Sequence, residues 1–431
     1  MIFDVLLFAS LVISAIALFR LRPATFIFAG NQLGVLRALS HVEQFGQPRS
    51  QAFLPPSIFS LENLAIAQNL FILSTALLAA AVLLPNAKAP APGSPPPQPL
   101  PKVPRWLFVL LLLYFAGLIF SQKTILTNSY TDPERVLYGF NLSGGHAFLA
   151  SVFLYEVVRR AITGEWTRLV AFGSLLLLFL LTDYLKGSTG LATGFLVVSA
   201  FLVLGGEPRA RRRWLSLGGA MVTLIVVSLI VRGTRSTLFS DGTSSITTLR
   251  DSLQDDEQRT SRTGEGAEVL GNGVQYAAHV LECISLYEAN VSREWRSVYL
   301  PILYTFQPRF VIDLLGAQRP KEAAWELAEY YIHGGGIYVL GELYWNGGYL
   351  CAALVFAFLM VFCWLCDTRW KTSFVWLLLV CEFAPNTLQG VGYGFAQVSR
   401  GIFNGLLALG CWAAVRKLRA PRRAPQQEAH A

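Results

Sequence analysis

Apolar runs long enough to cross a bilayer recur along almost the whole 431-residue chain, and they limit its fold more than any other feature. A helix needs roughly 20 apolar residues to span the hydrocarbon core. Inside lipid every backbone polar group must be satisfied within the protein, so continuous apolar runs of this length specify helices. Candidate spans are Met1–Phe19, Pro23–Leu39, Leu64–Leu84, Trp106–Ser121, Tyr138–Val158, Leu169–Tyr184, Leu191–Gly206, Leu215–Val231, Tyr344–Cys366, Phe374–Thr387 and Ile402–Val415. The count is about eleven. The second is short and holds Asn31, Gln32 and Arg37, and Asp4 lies in the first. The first segment has neither a basic leader nor a small-residue cleavage site, so it is expected to stay as a span.

The expected fold class is an all-α polytopic membrane protein with one large, partly helical outer loop. Charged residues make up 14% of the chain, against about 25% in a soluble domain. The hydrophobic share of 53% also excludes a disordered chain. The layout is a set of N-terminal spans (1–232, with a Pro-rich linker at 85–105), the outer loop (233–343), C-terminal spans (344–416) and a basic tail (417–431). Short loops rich in Lys and Arg mark the inner face. The clusters are Arg20/Arg22, Lys88/Lys102/Arg105, Arg159/Arg160/Arg168, Arg209/Arg211/Arg212/Arg213, Arg369/Lys371 and the tail from Arg416 to Arg423. With eleven spans all of them share one face, which puts the N-terminus outside and the C-terminus inside.

The net charge of +8 therefore does not point to nucleic acid. Between Gly233 and Gly335 there are nine bases and fourteen acids, a net of −5, which leaves +13 for the topology-setting remainder. Leu270, Val274, Ala277, Leu281 and Ile284 form an amphipathic stripe in this loop. It would seat on the membrane surface or on the rest of the protein. Pro320 is expected to open a second short helix.

Six cysteines supply no outer disulfide, because only Cys283 lies in the loop. Cys363-Trp-Leu-Cys366 has redox spacing but reads as packing. The histidines form no paired metal-ligand spacing, so no metal and no cofactor are expected.

The segment from Tyr299 to Tyr349 carries the chemistry. Arg309, Arg319 and Lys321 put three cations at the outer membrane surface, where they suit an anionic lipid-linked phosphate. His333 opens a run of three glycines that permits close approach of a ligand. Glu342, Tyr344 and Trp345 follow at the start of a span. Their rings could stack on sugars, and a carboxylate in a span is a functional candidate by default. The alternative is a juxtamembrane loop with an interfacial aromatic belt. Arg232 and Arg235 end the span that enters the loop, either facing the same pocket or snorkelling to the surface.

This order of Tyr299, Pro308-Arg309, Pro320-Lys321, a Gly-rich turn and a Gly-rich span start resembles the bacterial Wzy-type oligosaccharide repeat-unit polymerases. Arg22–Leu39 (RPATFIFAGNQLGVLRAL) resembles the family's early span, and Leu185–Gly190 (LKGSTG) its Gly-Ser-Arg-Gly link. The chain departs from the family in two places. Thr189 stands where an Arg is usual, leaving Lys186 as its substitute, and the Lys-Pro order is reversed at Pro320-Lys321. Related O-antigen ligases use a His near the end of their large loop, where His333 sits comparably.

The resemblance implies a GT-C-like glycosyltransferase in the bacterial inner membrane with its site facing the periplasm. It would polymerise undecaprenyl-diphosphate-linked oligosaccharide. Arg309, His333 and Glu342 become the catalytic candidates. Arg319, Lys321, Arg232, Arg235, Lys186, Tyr299, Tyr344 and Trp345 become the substrate-binding ones. The implied partners are the lipid-linked glycan, membrane lipid and a chain-length regulator protein. Three rivals stand beside it. A ligase shares the donor but uses a lipid A core acceptor. A polyprenyl-phosphate-sugar enzyme would rest on Asp132-Pro-Glu134. A transporter is disfavoured by the absence of an internal repeat and by the single dominant outer loop.

Overall fold

The computed structural model describes residues 1–47, 54–85, 272–291, 323–331, 337–370 and 375–381, with scattered single positions elsewhere. Every regular element among them is helical. In chain order they are α1 (Ile2–Phe19), α2 (Pro23–Phe45), a 3-10 turn (Pro56–Phe59), α3 (Leu61–Leu83), α4 (Asn272–Glu288), α5 (Ala323–Tyr330) and α6 (Val339–Arg369). Three described helices are long and apolar enough to cross a membrane, namely α1, α3 and α6. The expected spans between Trp106 and Val231 and beyond Phe374 lie outside the described residues, apart from a helical stretch at 375–381 and single positions.

α1 and α2 form an antiparallel hairpin. α1 ends where Leu21 takes a left-handed conformation (φ 57°), the Leu21 amide donates to Leu18 O, and the Arg22 amide donates to Ala17 O. This is the double hydrogen bond of a Schellman stop. It is formed here by a leucine, at a cost of about 1 kcal/mol relative to glycine. Pro23 then occupies the first helical position of α2, where its missing amide hydrogen costs nothing.

The expected span Pro23–Leu39 is longer and more polar than its sequence run indicated. α2 reaches Phe45 and includes His41, Glu43 and Gln44. Thr25, Gln32 and Ser40 on it are buried, whereas Arg37 and Gln44 are exposed. Gln32 is fully buried and donates to Ser10 Oγ on α1 at 3.1 Å and to Thr75 Oγ1 on α3 at 2.7 Å. Its own oxygen accepts from Ser74 Oγ at 2.9 Å. One side chain thus ties three helices together, where bonds of this kind contribute about 0.6 kcal/mol each.

The expected amphipathic helix of the outer loop is α4, and its seat is the protein. It packs against α2, α3 and α6. Ala277, Leu281 and Ile284 of the stripe are buried, and so are Ala278, His279, Val280, Glu282 and Cys283 between them. Burial therefore runs all round the helix at this level. Close approach is permitted by Gly341, where a Cβ would come within 2.9 Å of the Val280 backbone.

Two basic clusters assigned to topology have partners inside the protein. Arg20 donates to Val82 O at 3.0 Å and Leu83 O at 3.1 Å. Arg22, fully buried, donates to Ala81 O and Leu84 O. The two guanidinium groups thus satisfy the open carbonyls at the end of α3, where a cation also favours the helix dipole. Arg159 hydrogen-bonds the buried Glu156 at 2.7 Å, and Arg160 forms an ion pair with the same carboxylate at 2.8 Å.

Candidate functional site

The amino-terminal half of α6 meets α4 and α5 around a group of buried polar side chains. It is the described region that holds residues picked out by the sequence, namely Glu342, Tyr344 and Trp345. Arg309, Arg319, Lys321, Arg232, Arg235, Lys186, Tyr299 and His333 lie outside the described residues.

Glu342 sits one turn into α6 and is 3% exposed. Its Oε2 accepts from the Phe395 amide at 2.6 Å. The adjoining Gly394 has φ +88°, and a Cβ there would overlap the same oxygen. The carboxylate therefore grips a backbone segment more than fifty residues later in the chain. A charge-assisted bond of this kind is about twice as strong as a neutral one.

Tyr344 and Trp345 are buried, and their polar ends are engaged. Tyr344 donates to Glu288 Oε1 at 2.7 Å and Trp345 Nε1 donates to Val291 O at 2.6 Å. The local sequence explains the second bond. α4 stops at Asn290, which takes a left-handed conformation (φ 59°), while the Val291 amide closes onto Leu286 O at 2.9 Å. Asn is the residue after glycine most tolerant of that position. The stop presents the Val291 carbonyl to the indole. Trp345 also packs with Cys283, Leu286, Leu327 and Ile337, which seats α5 against α4 and α6. Tyr330 meets the Trp345 ring edge-on at 6.2 Å.

His279 and Glu282 lie one turn apart on α4. They are 1% and 0% exposed. Tyr331, just past α5, is half-buried beside Ser285 and Glu282. Burial first, and the Glu282 charge second, push its phenol above the ordinary tyrosine range. Asn346 is one turn after Glu342 and also 3% exposed. Its Nδ2 donates to Glu342 O at 2.7 Å, and its Oδ1 is a buried acceptor without a donor among the described residues. Leaving such a group unpaired costs about 1–3 kcal/mol.

The sequence reading counted Glu282 and Glu288 only as loop charge, and His279 only as an unpaired histidine. The signal for His279 and Glu282 was present in Ala277–Ile284 (AAHVLECI), where two ionisable residues interrupt an otherwise apolar run. Asp367, near the other end of α6, was not singled out. It is 5% exposed and accepts from the Ala24 and Thr25 amides at the start of α2. Cys363 and Cys366 beside it are fully buried free thiols.

The turn after α1, the end of α3 and the end of α6 meet at that pole of the bundle. Trp370 Nε1 donates to Leu21 O at 3.3 Å, and Trp364 Nε1 donates to Pro85 O at 3.3 Å. The Glu342 cluster occupies the opposite end of α6. Searches against family models, curated proteins and solved structures find no match to the chain.

Proposed function

We propose that the chain is an eleven-span, GT-C-like enzyme of the Wzy type. It extends oligosaccharide chains by joining repeat units carried on undecaprenyl diphosphate. The reaction takes place at the outer leaflet of the bacterial inner membrane, with the large loop in the periplasm. The observation that carries the reading is Glu342, a carboxylate buried in the first turn of an apolar helix and directly downstream of the cation- and glycine-rich segment. A charge in such a position is expensive and marks function more often than packing.

In this reading Arg309 grips the diphosphate of the donor as a bidentate clamp, with Arg319 and Lys321 beside it. Arg232, Arg235 and Lys186 complete the cationic wall. An acceptor hydroxyl attacks the donor's anomeric carbon. The bond from that carbon to the diphosphate oxygen breaks, and the lipid diphosphate leaves with the electron pair. His333 takes the hydroxyl proton. Cations that stabilise the leaving charge supply the electrostatic part of the catalysis. Glu342 holds the joint between loop and span in register through the Phe395 amide, and Tyr299, Tyr344 and Trp345 shape the wall on the sugar side.

The test is reconstitution of the purified protein with a lipid-linked repeat unit. The expected product is a ladder of chain lengths formed without added metal, and Arg309→Ala should abolish it in protein that still inserts. A single-sugar transfer that a chelator stops would overturn the polymerase reading. Transfer of the glycan to a lipid A core without a ladder would replace it with the ligase.

A further inference from the structure

α6 is broken near its start. Gly347 and Gly348 leave helical geometry, and Gly348 has φ +63°, a conformation that residues with a Cβ adopt only under strain. Asn346 is the last residue before the break. Its amide orientation is fixed, because the neighbouring Glu342 carbonyl can only accept and so must face Nδ2. The remaining oxygen, Oδ1, is buried and has no donor among the described residues. Glu342 lies one turn back on the same face of the helix, with its carboxylate held at the Phe395 amide. The two residues after Asn346 carry no side chain, so nothing of their own covers its oxygen.

A buried amide oxygen one turn from a fixed carboxylate, beside two glycines against one of which Tyr287 packs, lacks a hydrogen-bond donor among the described residues. We propose that Asn346 is a contact residue for a neutral, hydroxyl-rich headgroup, and that its Oδ1 accepts a hydroxyl of the incoming acceptor sugar. A fully ionised phosphate does not suit it, because such a group offers only acceptors to an acceptor oxygen. The inference rests on the polymerase reading for the identity of the sugar as substrate. The geometry around Asn346 Oδ1 stands independently of it.

The experiment uses the full chain in nanodiscs. The probes are the lipid-linked glycan that accumulates in cells lacking the protein, and undecaprenyl diphosphate without sugar. Hydrogen exchange is followed at the amides of residues 342–351. The sugar-bearing lipid should slow exchange there in the wild type, and the bare lipid should not. Asn346→Leu should lose the protection, raise KM for the acceptor by about tenfold or more, and leave the thermal midpoint equal to or above that of the wild type. Equal protection by the bare lipid would overturn the proposal, and so would unchanged protection and KM in Asn346→Leu, which would mean that Oδ1 meets only a water. If the wild type makes no ladder yet shows sugar-dependent protection, the polymerase reading fails and the sugar contact stands. If a ladder forms and Asn346→Leu alters nothing, the contact fails and the polymerase reading stands.

Discussion

Asp367 caps a helix that begins more than three hundred residues before it. Its Oδ2 accepts from both the hydroxyl and the amide of Thr25, at 2.6 and 2.9 Å, and its Oδ1 accepts from the Ala24 amide at 2.7 Å. α2 has no side-chain cap of its own, since Arg22 stands at its N-cap position and points to the end of α3. The last turn of α6 thus performs the task that Ser60 performs locally for α3, where it accepts from the Asn63 amide at 3.2 Å. A carboxylate at a helix amino terminus is further favoured by the dipole.

Asp367→Ala should therefore loosen one pole of the bundle. The expected loss is about 1–2 kcal/mol from the cap alone, with more from the unpaired Thr25 hydroxyl. Asp367→Asn keeps an acceptor and should lose less. Unfolding of the purified protein in mixed micelles, followed by circular dichroism, checks both. A midpoint unchanged in Asp367→Ala would show that the α6–α2 cap contributes nothing.

The long apolar helices were legible in the sequence because length and hydropathy decide them locally. α1 and α3 begin and end within a few residues of the runs that announce them, and α6 begins earlier and ends later than its run. α2 was read as ending at Leu39, because Glu43 and Gln44 look like a loop when their partners are not known. Glu43 accepts from Gln68 at 3.0 Å, which makes its place on a helix affordable. The role of Arg20 and Arg22 in completing α3 was not legible, because a cation beside open carbonyls and a cation beside anionic lipid have the same sequence signature. Glu342 and Tyr344 stand out in the sequence because they are polar groups in an apolar run. Asp367 was missed because it lies at the end of a run, where charge is ordinary.

The contact between Glu342 and Gly394 yields a coupled pair of predictions. Gly394→Ala places a Cβ at φ +88° and against Glu342 Oε2. The backbone strain alone costs about 1–3 kcal/mol. Glu342→Ala removes the acceptor for the Phe395 amide, again about 1–3 kcal/mol. The double variant should be more stable than the sum of the two losses, because removing the carboxylate relieves the clash. Additive losses in chemical unfolding would mean that the two residues do not touch.

Gly341 tests how closely α4 must approach α6. Gly341→Ala meets the Val280 backbone, which cannot swing aside as a side chain would. The expected cost is about 1–3 kcal/mol, with faster proteolysis around residues 272–291 as α4 lifts. Gly30→Ala and Gly34→Ala on α2 are the controls. Nothing lies within 4 Å of either Cβ position among the described residues, so both should be neutral or gain about 0.5–1 kcal/mol from helix propensity. Equal effects at all three glycines would show that close packing is not what Gly341 provides.

Tyr331 gives the alkaline limb of stability a local cause. Its folded-state pKa is raised, chiefly by burial and then by Glu282, with the Ser285 hydrogen bond acting against the rise. The folded protein therefore holds this proton more tightly than the unfolded chain does, so the linked contribution is complete below the unfolded pKa of about 10. It declines as pH rises from there through the folded value, because the unfolded state ionises first. Tyr331→Phe removes the titration, so the variant should lose less stability than the wild type between about pH 9.5 and 11. Glu282→Gln should shrink the same difference by lowering the folded-state pKa. Parallel wild-type and Tyr331→Phe curves across that range would assign the alkaline limb to other groups and place the Tyr331 phenol in water rather than against α4.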